Sequence, residues 1–287
     1  MTMTTTNRIS FQGEPGANSD TACRNMFPHM DPMPCPTFED AFNAVESGAA
    51  DLAMIPIENT IAGRVADIHH LLPESRLHIV GEYFLPIHFQ LMVLPGTTRG
   101  EIATVHSHIH ALGQCRKYIR KNGWKPVIAG DTAGAARLVA DVKDKTMAAL
   151  APRLASGLYG LDILEEDVED TENNVTRFVV LSKTRKWAPR SAGTLMMTTF
   201  VFRVRNVPAA LYKAMGGFAT NMVNMTKLES YQIDGKFTAT QFYADIEGHP
   251  DDGNVAHALE ELEFFSKEVR ILGVYPADTT FRGSQAG

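Results

Sequence analysis

Cysteine is scarce in this chain. Cys23, Cys35 and Cys115 are the only three among 287 residues, an odd number with no C-x-x-C spacing. That excludes a disulfide framework and a cysteine-built zinc site, and it predicts free thiols in a reducing compartment. No apolar run approaches the roughly 20 residues that span a bilayer. The opening MTMTTTNRIS lacks the apolar core of a secretory signal and is read as a short lead-in, so a cytoplasmic protein is expected. An excess of positive charge is also missing: Lys and Arg number 27 against 33 Asp and Glu, a net charge of -6. Nucleic acid and anionic membrane are poor partners for such a chain, although a small anionic substrate at a locally positive site is compatible with it. There is no G-x-S-x-G nucleophile motif, and Gly13-x-x-Gly16 lacks the third glycine and the acidic residue of a dinucleotide loop. His106, His108 and His110 alternate, but no nearby carboxylate or thiol completes a metal set. No metal or cofactor is expected.

What is present is an ordinary globular composition, 44% hydrophobic and 21% charged, at a length that suggests two domains. The first part alternates strands and helices. RISFQG (8–13) reads as a strand ending in the turn-rich EPGANSD. TFEDAFNAVESG (37–48) reads as a helix with Thr37 as N-cap and Gly48 as stop. DLAMIPIEN (51–59) reads as a strand broken by Pro56 into a loop, and residues 77–96 as two strand segments around Pro86. SHIHALGQCRKYIRKNG (107–123) is predicted to be one helix capped by Ser107. KPVIAG is a strand, DTAGAARLVADV a helix with Thr132 near its cap, TMAALAP a strand entering a helix, and FVVLS (178–182) a buried strand. Alternation of this kind predicts an α/β domain with parallel pairing.

KTRKWAPRSAG (183–193) reads as a linker, after which the pattern changes. LMMTTFVFRV (195–204) is a strand, residues 208–222 a helix, NMTKLESYQ (224–232) a strand and Asp234-Gly235 a hairpin turn. KFTATQFYADIEG (236–248) is a strand, residues 255–268 an amphipathic helix and VRILGVYP (269–276) a last strand. The order β-α-β-β-α-β is the ferredoxin-like pattern.

Four polar clusters sit at element ends in the first domain: Glu58-Asn59-Thr60, Ser107 with Gln114, Asp131-Thr132, and NNVTRF (173–178). In open α/β sheets ligands bind outside the carboxyl ends of strands, near helix N-termini. Each cluster also has a plain structural reading. Ser107 and Thr132 would cap helices, Asn173, Asn174 and Thr176 would bond their own backbone in a turn, and Arg177 would pair with the acidic run EEDVED (165–170).

Taken together, PIENT-x-x-G (56–63), HSHIHALGQC (106–115), GDTAGAA (130–136) and NNVTRF, followed by the βαββαβ pattern, resemble the monofunctional prephenate dehydratases. The resemblance runs from FQGEPGANSD to VRILGVYP. It implies a two-lobed catalytic domain over 7–184, similar in shape to type II periplasmic binding proteins, a linker over 185–194, and a ferredoxin-like ACT regulatory domain over 195–276. It implies that prephenate loses water and carbon dioxide without a cofactor, giving phenylpyruvate on the way to phenylalanine. Thr176 would be the catalytic residue, with Glu58, Asn59, Thr60, Ser107, Gln114, Thr132 and Arg177 around the substrate. Ala209, Ala210, Leu211, Asn224, Met225, Glu229 and Ser230 match the segments that bind L-phenylalanine as allosteric ligand between paired domains, so a homodimer or homotetramer is implied. The sequence departs from the family pattern at Ala209, where a glycine usually opens the helix, at Tyr231-Gln232 in place of Arg-Pro, and at Ile109-His110 in place of Pro-Gln. Arogenate dehydratase is the nearest rival, and a non-catalytic amino acid sensor is a rival of another class.

Overall fold

The computed structural model describes residues 7–232 and 239–282. In chain order it contains strand β1 (Arg8–Gln12), helix α1 (Asn18–Met26), strand β2 (Asp31–Cys35), helix α2 (Phe38–Ser47), strand β3 (Leu52–Asn59) and the short β4 (Gly63–Arg64). Helix α3 (Ala66–Glu74) and strand β5 (His78–Pro86) come next, then β6 (Gln90–Val93), β7 (Thr104–Ser107), α4 (Ile109–Gln114), α5 (Arg116–Lys121) and β8 (Lys125–Ile128). Helix α6 (Thr132–Val142), β9 (Met147–Ala151), α7 (Arg153–Tyr159), β10 (Asp162–Glu165) and β11 (Val175–Ser182) follow. The last stretch supplies β12 (Met196–Val204), α8 (Ala210–Thr220), β13 (Met225–Gln232), β14 (Ala239–Glu247), α9 (Gly253–Phe265) and β15 (Ser266–Pro276). The chain divides into two compact units. One holds the residues through Val65 and Phe84–Phe178; the other holds Ala66–Tyr83 and the residues from Val179 onward.

The first unit carries the α/β alternation. Strand β1 lies parallel to both β2 and β3, and in the second group β7 lies parallel to β8 and β9, with β6 antiparallel between β9 and β10. Thr37 caps α2 as expected, its hydroxyl accepting from the Asp40 N–H at 3.1 Å, and Gly48 takes the left-handed stop at φ 83°.

Four expectations for this unit need correction. Residues 107–123 are not one helix. Strand β7 runs through Ser107, because its flank β8 pairs as far as Ser107 with Ile128, and the helix then breaks at Cys115 into α4 and α5. His108, not Ser107, is the cap of α4, and Asp131, not Thr132, is the cap of α6, its carboxylate accepting from the Gly134 N–H at 2.7 Å. Pro56 does not end β3, which continues to Asn59. Pairing with β1 is confined to Leu52 and Ala53, so that side asks no N–H of the proline. Helix α1 occupies part of the stretch read as turn-rich. Its inward face includes the fully buried Asp20, which accepts from the Gly16 N–H and the Arg24 guanidinium, both at 2.8 Å, so no apolar period announces it.

In the second unit the order is β12-α8-β13-β14-α9-β15, with strands arranged β13–β14–β12–β15 and antiparallel throughout, the ferredoxin-like arrangement. Phe200, Phe202, Phe218, Phe242, Val255 and Leu262 form its core between strands and helices. Helix α8 meets α9 closely at Gly217, where a Cβ would stand 2.7 Å from that of Glu261. The expected turn at Asp234-Gly235 and the start of the following strand lie outside the described residues. Helix α8 starts at Ala210, and Ala209 before it sits in the left-handed region at φ 60°, ψ 18°. This is why a glycine suits the position: an L side chain there crowds the following carbonyl.

Candidate active site

The NNVTRF segment enters β11, where side chains alternate between faces. Thr176 and Phe178 line a cavity of about 320 Å³ in the first unit; Arg177 does not. Its guanidinium is 4% exposed, bonds Glu58 at 2.9 Å and lies 6.0 Å from the centre of the Phe84 ring. The partner expected for Arg177, the EEDVED run, is engaged elsewhere: Glu165 with Arg99 and Tyr118, Glu166 with Arg153, and Asp170 with backbone N–H groups of α5.

Asn59 organises the wall. Its Oδ1 accepts from the N–H groups of Ile61 (2.9 Å) and Ala62 (2.8 Å), which fixes which end of the amide is nitrogen. Nδ2 therefore faces β11, donating to Asn174 Oδ1 at 2.8 Å, Thr176 Oγ1 at 3.0 Å and the Val175 carbonyl at 3.2 Å. Asn174, 2% exposed, passes the direction on by donating to Gln114 Oε1 at 2.8 Å. Two consequences follow. Thr176 Oγ1 is an acceptor in this chain, so its own proton is left to donate. Gln114 accepts with its oxygen, so its NH₂ is likewise left to donate. Thr176, Asn59, Asn174 and Gln114 all line the cavity.

Thr60 stands beside this network as a clamp. Its hydroxyl donates to the Asn173 carbonyl at 2.8 Å and accepts from the Val175 N–H at 3.0 Å. Thr132, the first residue of α6, lines the cavity together with Gly130 and Asp131. Ser107 does not. It is fully buried, and its hydroxyl donates to the Leu150 carbonyl at 2.6 Å, tying β7 to β9. Glu58, Thr60, Ser107 and Arg177 thus support the site from behind, while Asn59, Gln114, Thr132 and Thr176 face the cavity.

Several further residues line the cavity without belonging to the roles expected above. Ala17, Asn18 and Ser19 bring the N-terminus of α1 to the cavity, and no side chain caps that helix. This gives one uncapped helix N-terminus whose dipole favours an anion, whereas the Asp131 carboxylate already occupies that of α6. His108 and His110 also line the wall, their ring centroids 5.0 Å apart. His108 Nδ1 accepts from the His110 N–H at 3.4 Å, which leaves its proton on Nε2. Burial, reinforced by His110 and opposed by Asp131, holds the His108 pKa below the usual imidazole range. Among the described lining residues there is no lysine or arginine, and Asp131 is the one carboxylate.

Away from this cavity, His88, Asp167 and Glu169 place three metal-capable atoms within 4.8 Å of one another. His88 and Glu169 stand 81 positions apart, and the three residues carry no local motif. Each already has a protein partner: His88 Nδ1 and the Phe89 N–H bond Glu169, and Gln90 bonds Asp167.

In the second unit, Ala209, Ala210 and Leu211 open α8, with Ala210 and Leu211 packed on the core. Asn224 precedes β13 and donates to Glu247 at 2.9 Å, Met225 packs on the same core, and Glu229 pairs with Lys227 at 3.3 Å on β13, next to the exposed Ser230. Tyr231 is buried, with its ring 6.2 Å from that of His70.

Comparison with known proteins gives a consistent relationship. A family model described as prephenate dehydratase matches residues 9–186. A Komagataeibacter europaeus protein named bifunctional N-acyl-homoserine lactone acylase/prephenate dehydratase is 50% identical over 269 residues, 94% of this chain and 95% of that one. An Arabidopsis thaliana chloroplastic protein named arogenate dehydratase/prephenate dehydratase 1 is 39% identical over 285 residues, 94% of this chain and 72% of that one. A crystal structure of prephenate dehydratase from Arthrobacter aurescens in complex with L-Phe superposes with a TM-score of 0.86 at 30% identity, covering 94% of this chain and 90% of that one.

Proposed function

Because this chain belongs to the prephenate dehydratase family, we propose that it converts prephenate to phenylpyruvate by joint loss of water and carbon dioxide, with arogenate dehydration as the alternative. The observation that carries the reading is the directed amide chain from Asn59 through Asn174 to Gln114, which leaves the Thr176 hydroxyl and the Gln114 amide as unspent donors on a cavity wall without lysine or arginine. The reaction needs a donor for the departing ring hydroxyl and a holder for the ring carboxylate. As the carbon–carbon bond to that carboxylate breaks, its electron pair completes the aromatic ring and expels the C4 oxygen, which leaves as water with one proton drawn in net from solvent. Thr176 donates to that oxygen. A free threonine is a weak acid, so its effect is electrostatic placement in a site where the Asn59 amide already fixes its oxygen. The uncapped first turn of α1 holds the carboxylate with neutral N–H groups. Glu58, Thr60, Ser107 and Arg177 brace the strands that carry this wall. The test is turnover of prephenate and of arogenate side by side; activity with neither refutes the reading.

Residues 195–276 are read as the ACT domain, sensing L-phenylalanine at Ala209, Ala210, Leu211, Asn224, Met225, Glu229 and Ser230 in a homodimer or homotetramer. The ferredoxin-like strand order and the L-Phe complex of a 30%-identical structure support this. Turnover that falls with added phenylalanine, together with a sedimentation mass above the monomer, is the expected result. Among the described residues no helix is long and apolar enough to cross a membrane. The 50% identity to a protein whose name includes an acylase favours one second reading, hydrolysis of an N-acyl-homoserine lactone, which is tested by release of the free fatty acid.

A further inference from the structure

The first unit holds a second cavity, of about 400 Å³, which shares Ala62, His110 and Gln114 with the first and differs from it in charge. Its wall contains Arg116 and Lys117 from α5, and neither side chain makes an ion pair among the described residues. The one carboxylate in that wall, Asp170, spends its oxygens on the backbone N–H groups of Lys117 (2.9 Å) and Tyr118 (3.3 Å). Two adjoining spaces therefore present opposite conditions: neutral donors in one and two uncommitted cations in the other.

A substrate with two carboxylates of different fate suits such a pair. The ring carboxylate loses its charge as carbon dioxide departs. A full cation beside it would stabilise the ground state more than the transition state and slow the reaction. The carboxylate of the three-carbon pyruvyl side chain keeps its charge throughout. A cation beside that group binds substrate and transition state equally, which lowers KM and leaves kcat alone.

We propose that the second cavity is the subsite for the retained side-chain carboxylate, with Arg116 and Lys117 as its cationic positioning residues and His110 and Gln114 at the junction. This rests on the prephenate reading given above. The test is the double variant Arg116→Gln/Lys117→Gln, measured two ways: steady-state turnover of prephenate, and calorimetric binding of phenylpyruvate, the product that still carries this carboxylate. The expected result is a KM raised by about tenfold or more with kcat within about threefold, and phenylpyruvate affinity weakened by a similar factor. Arg116→Lys/Lys117→Arg should restore both. Unchanged phenylpyruvate affinity in the glutamine variant, or a wild-type chain that does not bind phenylpyruvate, overturns the inference. So does a fall in kcat at constant KM. A wild-type chain that binds phenylpyruvate through these cations yet turns over neither prephenate nor arogenate leaves the subsite standing and overturns the assigned reaction instead.

Discussion

Replacing Thr176 with alanine isolates the proposed chemistry from the fold. The hydroxyl accepts one bond, from Asn59 Nδ2 at 3.0 Å, and that amide keeps Asn174 Oδ1 at 2.8 Å and the Val175 carbonyl at 3.2 Å as acceptors. No buried donor is orphaned, so the stability cost is expected to be about 1 kcal/mol or less. A donor aimed at charge that develops on a departing oxygen is worth far more to the transition state, about 2.7–4 kcal/mol, which corresponds to a loss of about 10²–10³ in kcat. Thr176→Ser keeps the hydroxyl and should retain activity within about tenfold, less a small cost for the freer rotamer. The assay is phenylpyruvate formation from prephenate by purified variants, with thermal unfolding run alongside. Thr176→Ala at near wild-type kcat, with an unchanged melting temperature, would refute the role of the hydroxyl and return the amide chain to a purely structural part.

The other predictions concern stability. Arg177→Ala removes the buried guanidinium that bonds Glu58 at 2.9 Å and should cost about 2 kcal/mol in chemical denaturation, whereas the double variant Arg177→Met/Glu58→Gln should recover much of it; equal stability of the two refutes a bracing pair. Ala209→Gly relieves a left-handed alanine at φ 60° and should raise stability by about 1 kcal/mol, read as a higher melting temperature of the second unit; a drop would show that the methyl is packed rather than strained. Burial holds His106 and His108 below their ordinary value of 6.5, so the folded state resists protonation. The stability this preserves is complete above about pH 6.5 and is lost as pH falls below it, because the unfolded chain then binds more protons. The melting temperature should therefore decline between about pH 7 and 5, and less steeply in His106→Gln; a flat profile counts against the buried neutral imidazoles.

How far the sequence announced all this depends on what each residue faces. Helix α2 was legible because its apolar residues follow one period and its ends carry a standard cap and stop, and the βαββαβ tail because its apolar residues keep the strand and helix periods. Helix α1 and strand β2 were not. The first turns a satisfied carboxylate, Asp20, inward, and the second carries two prolines in five residues at the edge of its sheet. Within the site, Asn59, Gln114, Thr132 and Thr176 were placed at a cavity by motif and fold class together. Ser107 was misread because a serine before a helix looks like a cap until its strand neighbours are known. The pairing of Arg177 with Glu58 was not legible, because alternation along β11, which turns Arg177 away from Thr176, depends on where the strand begins. Asn174 carried the signal of a dense amide stretch, but its bridging role needs Gln114, 60 positions earlier, within reach.

The wall of the candidate site is stitched from distant chain. Asn59 reaches Asn174 and Thr176 across 115 and 117 positions, and Thr60 reaches Asn173 across 113. Contacts of such separation are entropically costly to close until the intervening layers have formed, so they belong late on the folding route. A ribosome-bound chain cannot own this site until Thr176 has emerged, and a refolding chain should regain its ligand-binding wall only in its last kinetic phase. Catalytic competence would then serve as a reporter of completed folding in the first unit, rather than of its early helices.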